Sequence, residues 1–272
     1  MAKFCFINGE ILPSEKAVIG VDDLGLTRSY AVFDFMRTYN GKPFSIKDHL
    51  ARLRNSGNSL HLSLNYTDDE ISEFVAELLS KNEIKEAGIR FLLTGGNSIN
   101  NTSFEKPNFI IVLEDLPSYP NEYYTNGVKL ITYEYQREVA ASKTTDYLNA
   151  LRLSPIIKNA NAFDMLYYFG AEVLELTRNN IFIVKDKTII TPKENVLLGI
   201  TRKHVIELAQ GQFSMEERKI TLPELWAADE VFVTGTTKKI IPVNRIDNVI
   251  YSKSPGEITK KMMQLFNDFV ND

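Results

Sequence analysis

Five short segments carry residue types that act on amines or anions. In Ser142-Lys143-Thr144-Thr145-Asp146-Tyr147-Leu148-Asn149, Lys143 stands just before a helical pattern, among small and hydroxylated residues. Partial burial lowers a lysine's pKa, and a partly neutral amine can form a Schiff base with a carbonyl. The plainer reading is a solvated lysine. Glu175 lies between leucines in Leu174-Glu175-Leu176-Thr177-Arg178-Asn179-Asn180-Ile181-Phe182. A carboxylate there is costly to bury unpaired, so it needs a protonated ring nitrogen or a neighbouring arginine. Leu198-Gly199-Ile200-Thr201-Arg202 opens an amphipathic helix. The amides of Ile200 and Thr201 at such a start bind anions, and capping by Thr201 is the alternative. Val233-Thr234-Gly235-Thr236-Thr237 ends a strand in hydroxyls and amides suited to phosphate or carboxylate oxygens, or forms only a polar turn. Arg52, in His49-Leu50-Ala51-Arg52-Leu53, is a helix arginine beside apolar neighbours, suited to a bidentate phosphate contact or to a solvated face.

Elements that could position these groups follow from local patterns. Asn8-Gly9 and Asn40-Gly41 are hairpin turns between Phe4–Ile7 and Glu10–Leu12, and between Val32–Tyr39 and Lys42–Phe44. A helix begins near Lys47, and a second at Thr67, where Thr67-Asp68-Asp69-Glu70 forms a capping box. Strands follow at Ile89–Thr94 and Phe109–Leu113, then a linker at Pro117-Ser118-Tyr119-Pro120-Asn121. Beyond it, strands at Val128–Tyr133, Phe163–Phe169, Ile181–Val184 and Glu230–Thr234 alternate with helices at Asp146–Asn161, Thr201–Gln210 and Pro255–Val270. Pro155 is a candidate kink or break in the first of these helices. The expected architecture is α+β in two domains, a small one over 1–118 and a larger one over 119–272.

Composition narrows the function. Hydrophobic residues make up 44% and charged residues 24%, which argues for a folded chain rather than a disordered one. A net charge of −4 offers no basic footprint for nucleic acid and no polybasic arm for membranes. No stretch is long and apolar enough to span a bilayer, and the opening residues carry no signal-like apolar core. His49, His61 and His204 lack metal-ligand spacing, so no metal is expected. A single cysteine, Cys5, rules out an internal disulfide and fits a reducing, cytoplasmic compartment.

Taken together and in this order, the five segments resemble the class IV aminotransferases, the fold type IV enzymes that use pyridoxal 5′-phosphate. The likeness runs from Phe6-Ile7-Asn8-Gly9 to the region of Pro242. Its most specific parts are the lysine segment, Glu175 followed by Asn180-Ile181-Phe182, Gly199-Ile200-Thr201-Arg202, and Ala228-Asp229-Glu230-Val231-Phe232. The resemblance implies that Lys143 is the Schiff-base lysine and that Glu175 partners the pyridine nitrogen. It implies that Arg52, Ile200, Thr201 and Thr236 cradle the phosphate, with Tyr147 and Asn180 also at the cofactor. Phe33 stands where many members have a substrate-binding tyrosine, and Ile89-Arg90-Phe91-Leu92-Leu93 is similar to a strand of branched-chain enzymes. Phe33, Arg90, Thr236 and Thr237 are therefore the implied substrate contacts. D-amino-acid enzymes carry an arginine where this chain has Gly95, which favours L-amino acids and a 2-oxo acid as substrates. An aminodeoxychorismate lyase-like activity is the alternative, and a weakly catalytic binding protein is a third reading. The family fold further implies a smaller α/β domain, a larger domain with a barrel-like sheet, and a homodimer.

Overall fold

A computed structural model describes residues 2–98, 100 and 106–271. The chain forms two compact units, Met1–Pro117 with Ser142–Tyr147, and Ser118–Ala141 with Leu148–Asp272. Both mix helices with sheets, an α+β architecture.

The first unit holds strands β1 (Phe4–Ile7), β2 (Glu10–Pro13), β3 (Ala31–Tyr39), β4 (Lys42–Pro43), β5 (Gly88–Thr94) and β6 (Asn108–Glu114). They form one antiparallel sheet in the order β2-β1-β6-β5-β3-β4. Both hairpin turns fall where the Asn-Gly pairs stand. Asn8 and Gly9 have φ of 50° and 103°, and Asn40 and Gly41 have 52° and 76°, the left-handed backbone that a two-residue turn requires. Besides the short helix α1 (Leu24–Arg28), two helices cover the sheet: α2 (Ile46–Ser59) and α3 (Asp68–Asn82). Thr67 and Glu70 close the capping box at the start of α3. Leu50, Leu53, Ile71, Val75 and Leu78 pack with Val32, Met36, Ile89 and Phe91 in one apolar core. Ser142–Tyr147 joins this unit because its backbone pairs with β3. The Phe33 N–H donates to the Lys143 carbonyl at 2.9 Å, and the Thr145 N–H to the Ala31 carbonyl at 3.0 Å.

The second unit is built on a larger mixed sheet. After the short α4 (Glu122–Thr125) come β7 (Val128–Glu134), α5 (Leu148–Asn159), β8 (Asp164–Phe169), β9 (Glu172–Leu176), β10 (Asn180–Lys185), β11 (Thr188–Thr191) and α6 (Ile200–Ala209). They are followed by β12 (Ser214–Glu217), β13 (Ile220–Thr221), α7 (Leu222–Trp226), β14 (Glu230–Gly235), β15 (Lys239–Ile246), β16 (Val249–Ile250) and α8 (Glu257–Asn271). The strand order is β12-β11-β10-β14-β15-β7-β8-β9-β13, with β16 paired to β15. Near its middle, Phe182 of β10 stacks on Phe232 of β14 with ring centroids 4.8 Å apart.

Helix α5 departs from expectation in two ways. It begins at Leu148 rather than Asp146, since the residues before it are extended along β3. It also runs unbroken through Pro155. Proline removes the N–H that would reach the carbonyl four residues back, and the Ser154 hydroxyl donates to that Leu151 carbonyl at 2.8 Å instead. No helix among the described residues is long and apolar enough to cross a membrane.

Candidate active site

In the first unit, chemistry-bearing side chains gather on β3 and α2. Alternation along β3 sends Phe33 and Asp34 to opposite faces. Asp34 is fully buried and takes Arg52 Nε at 2.7 Å on Oδ2 and Arg52 Nη2 at 2.8 Å on Oδ1. The same Oδ1 accepts from His49 Nδ1 at 2.6 Å. Burial alone would push the Asp34 carboxyl up, but the charges and hydrogen bonds of Arg52 and His49 outweigh it and hold it well below the usual carboxylate range. Burial pushes His49 the other way, below its ordinary value, against the pull of Asp34. A neutral imidazole with its proton on Nδ1 fits this bond. Arg52, the expected phosphate ligand, is thus held by a buried carboxylate that fixes its plane.

Lys143 is anchored from both elements. Its N–H donates to Ser56 Oγ of α2 at 3.0 Å, and its carbonyl accepts from Phe33 of β3. Ser59 Oγ and Ser142 Oγ lie 2.6 Å apart and tie the preceding residue to the same helix. The Lys143 side chain reaches the Phe33 ring, with Nζ 4.5 Å from its centroid. Tyr147 meets the same ring edge-on at 5.7 Å, and Arg90 Cζ lies 5.3 Å from it. Lys143, Phe33, Tyr147 and Arg90 therefore form one group.

In the second unit, Glu175 is buried on β9. Its Oε1 accepts from Arg137 Nε at 2.8 Å and Nη2 at 2.7 Å, and its Oε2 from the Leu197 N–H at 3.0 Å. A guanidinium and an amide donor both favour the charged carboxylate. Leu197 is a hub, because its carbonyl accepts from Asn180 Nδ2 at 2.7 Å. Asn180 Oδ1 lies 2.2 Å from where a Cβ on Gly199 would stand, so this approach requires glycine. From Gly199 the chain enters α6, whose start has no side-chain cap. Thr201 points into a buried setting but does not cap the helix. Asn180 also pairs with Thr234 across β10 and β14, which brings the Thr234–Thr237 turn alongside. There Gly235 leaves room for Asn179 Oδ1, 2.5 Å from its absent Cβ. The Thr237 hydroxyl bonds that of Tyr119 at 3.1 Å, while Thr234 Oγ1 and Asn179 Oδ1 are buried with no hydrogen-bond partner among the described residues.

Several of these groups were not legible as functional beforehand: Asp34, His49, Ser56, Arg137 and Leu197. A charged residue inside the apolar run Val32-Phe33-Asp34-Phe35-Met36, with His49 and Arg52 one helical turn apart, is the only local signal among them. No cluster of His, Cys, Asp and Glu among the described residues could hold a metal ion.

Residues 31–246 match the family model for amino-transferase class IV. A Methanocaldococcus jannaschii protein, provisionally named a branched-chain-amino-acid aminotransferase, is 34% identical over 97% of this chain and 95% of its own length. The D-alanine aminotransferase of Staphylococcus epidermidis is 31% identical over 97% of both chains. Among solved structures, the branched-chain amino acid aminotransferase of Thermobaculum terrenum, in its pyridoxal-phosphate holo-form, superposes with a TM-score of 0.89 at 25% identity, covering 100% of this chain and 95% of the other.

The family's cofactor is pyridoxal 5′-phosphate, and the residues present fit it. The amide N–H groups of Ile200, Thr201 and Arg202 meet no acceptor among the described residues, which suits them to a phosphate at the helix start. The orphaned Thr234 hydroxyl lies across the sheet from Asn180, itself held by the same loop. Glu175 supplies a buried, doubly hydrogen-bonded carboxylate for a ring nitrogen, and Lys143 an amine on an anchored backbone. With the family model matched over most of its length and a relative 34% identical over 97% of it, the chain belongs to the class IV aminotransferases, pyridoxal-phosphate enzymes that move amino groups between small amino and keto acids.

Proposed function

We propose that this enzyme transfers the amino group of an L-amino acid with a branched apolar side chain to a 2-oxo acid, and that it works as a cytoplasmic homodimer. The observation that carries the L preference is the packing at Gly95. A Cβ there would stand 2.8 Å from Tyr30 Cδ1 and 2.9 Å from Leu24 Cβ, and the Gly95 N–H already bonds the Tyr30 carbonyl at 2.8 Å. An arginine side chain at this point, the feature associated with D-specific relatives, has no room. The apolar Phe33 ring beside the Lys143 amine supports an apolar substrate side chain.

Each group has a distinct task. When bound, the cofactor supplies an aldehyde for amines and a ring that takes up electron density. Lys143 would hold the cofactor through its Nζ and would take the proton from the substrate α-carbon. Glu175 holds a proton on the ring nitrogen, and Arg137 keeps Glu175 charged and oriented. Arg52 and the amides of Ile200 and Thr201 hold the phosphate, Asn180 supports the loop that leads to those amides, and Tyr147 steadies the ring oxygen. Phe33, Arg90, Thr236 and Thr237 are the proposed contacts for the substrate.

The test is a donor panel on the cofactor-loaded enzyme: L- and D-leucine, glutamate and alanine, each in single turnover, followed by the change in the cofactor's visible absorption. The proposal expects L-leucine to react and the D-amino acids not to. The 31% identity to D-alanine aminotransferases makes D-alanine the sharpest competitor, and preferential reaction with it overturns the L assignment. Pyruvate released from aminodeoxychorismate would instead establish the lyase reading. Loaded protein that reacts with no amine would establish a binding protein.

A further inference from the structure

A buried cation stands at the hairpin turn between β14 and β15. The turn closes through the Lys238 N–H, which donates to the Gly235 carbonyl at 3.0 Å. It frames Thr236 and Thr237, and the Thr237 N–H meets no acceptor among the described residues. The Lys238 side chain is nine-tenths buried, which is unusual for a lysine. Its Nζ lies 5.6 Å from the centroid of the Tyr119 ring and 5.7 Å from that of Phe163, cation–π distances. The Tyr119 hydroxyl in turn bonds the Thr237 hydroxyl at 3.1 Å. Thr237, Lys238 and Tyr119 thus form a closed circuit of one peptide bond, one cation on a ring face and one hydroxyl pair. Phe163 backs the circuit, its ring edge-on to Tyr119 at 6.5 Å. The charged groups that face Lys238 are Asp164 of β8 and Arg178, which precedes β10. Asp164 already takes three donors: Thr177 Oγ1 at 2.6 Å and the Met165 N–H at 2.8 Å on Oδ1, and Asn179 Nδ2 at 2.8 Å on Oδ2. Asn179 carries this anchorage to the other end of the turn, where its Oδ1 fills the space beside Gly235.

We infer that Lys238 is a positioning residue for the substrate's carboxylate: acting through Tyr119, it fixes the Thr236–Thr237 turn and keeps a positive charge beside it. This rests on the aminotransferase reading above, which gives Thr236 and Thr237 as substrate contacts, and deepens it. A turn that binds an anion gains from both effects. A turn already fixed does not have to be ordered when the carboxylate arrives. A buried charge is screened by salt far less than one on the surface. Tyr119 couples the two ends, since the cation holds its ring face and Thr237 its hydroxyl. Lys238 acts by holding and attracting, and it moves no proton. Burial also pushes its amine down to about 8, with the pull of Asp164 opposing. Above that pH the charge is lost, so a carboxylate is held less tightly as pH rises through it.

The experiment is calorimetric titration of the cofactor-loaded enzyme with two unreactive acids, 4-methylpentanoate and propanoate, at about pH 7 and about pH 9.5, where both are anions. At about pH 7, Lys238→Met keeps the side-chain length but not the charge. It should bind both acids about fivefold more weakly than wild type, the scale of one desolvated cation–π contact. Tyr119→Phe keeps the ring and removes the hydroxyl. It should also weaken binding, and the loss in the double variant should fall short of the sum of the two. At about pH 9.5 wild type should converge on Lys238→Met to within about twofold, while Lys238→Arg keeps its advantage at both pH values. Asp164 and Arg178 are present in every one of these proteins, so the ratios isolate Lys238. If Lys238→Met fails to fold, the comparison of wild type with Lys238→Arg across pH still decides. The inference is overturned if Lys238→Met binds within about twofold of wild type at about pH 7, if the losses add in full, or if wild type keeps pace with Lys238→Arg at about pH 9.5. Wild type that binds propanoate as tightly as 4-methylpentanoate counts against the branched side chain alone, because Lys238 is read from the carboxylate both acids share. Wild type that binds neither acid overturns both readings.

Discussion

Replacing Arg137 by methionine should cost stability because of the carboxylate it leaves behind. Glu175 has only 8% of its side chain exposed, and Arg137 has 20%. The substitution takes two donors from Oε1, at 2.8 and 2.7 Å, and leaves the Leu197 N–H on Oε2. Removing one member of a buried pair costs about 3–5 kcal/mol, because the survivor keeps its desolvation penalty. Partial exposure of Arg137 lets water reach the vacated side, so the lower end applies, about 3 kcal/mol. Trp226 is the single tryptophan and lies in the same unit as this pair, so its fluorescence follows the relevant unfolding. In the cofactor-free protein the urea midpoint should fall by about 1 M. Arg137→Met combined with Glu175→Gln should recover more than half of the loss, because no uncompensated charge remains. A single variant that loses less than about 1 kcal/mol, or a double variant whose loss is the plain sum of the two single losses, would refute the reasoning. The chemistry should report the same event, with a slower half-reaction once Arg137 no longer orients the Glu175 carboxylate.

Borohydride reduction of the loaded enzyme followed by peptide mapping should place the cofactor on Lys143, and Lys143→Ala should abolish the label. Labelling of another lysine would displace the assignment. A separate test concerns Lys238, which is nine-tenths buried over the rings of Tyr119 and Phe163. Burial pushes it down to about 8 from an ordinary 10.5, against the pull of Asp164, so between those values the unfolded chain binds the extra proton and stability rises with pH. Lys238→Met should flatten urea stability across that window, and an unchanged slope would show that Lys238 is solvated.

Features carried by two to four neighbouring residues were legible in the sequence. The Asn8-Gly9 and Asn40-Gly41 turns demanded left-handed backbone, and the Thr67–Glu70 capping box marked a helix start. Strands with mixed or unbroken burial were harder. β15 begins with Lys239, contains Pro242 and ends through Asn244-Arg245, so no alternation marks it. β9 is too short, at five residues with four of them buried in a row, to be told from a turn of helix by period. The pairing of Lys143 with Phe33, and that of Arg137 with Glu175, are contacts between distant parts of the chain with no local signature. The sequence singled out Arg52 as a candidate site arginine, but not the buried Asp34 that orients it, because a strand aspartate carries no mark of which helix will face it.

Helix α2 explains why so distant a segment can be placed accurately. His49, Arg52, Ser56 and Ser59 follow each other at spacings of three and four, so they share one face of the helix. Arg52 and Ser56 are one turn apart, about 6 Å along the axis. Arg52 is fixed by Asp34 of β3, and Lys143 is held by Ser56 of α2 and by the backbone of β3 at Phe33. The same two elements therefore bind both the phosphate-class arginine and the amine-bearing segment. Because α2 and β3 are rigid, regular and packed on a common core through Leu50, Leu53, Val32 and Met36, the spacing from Arg52 to Lys143 is set by a helix turn and a strand pleat. It does not depend on the long stretch of chain between them. The serines add no charge and no reactive group. Their contribution is directional, since Ser59 and Ser56 hold the adjacent residues Ser142 and Lys143 at the start of a short extended segment and so limit the arc through which the Lys143 amine can swing.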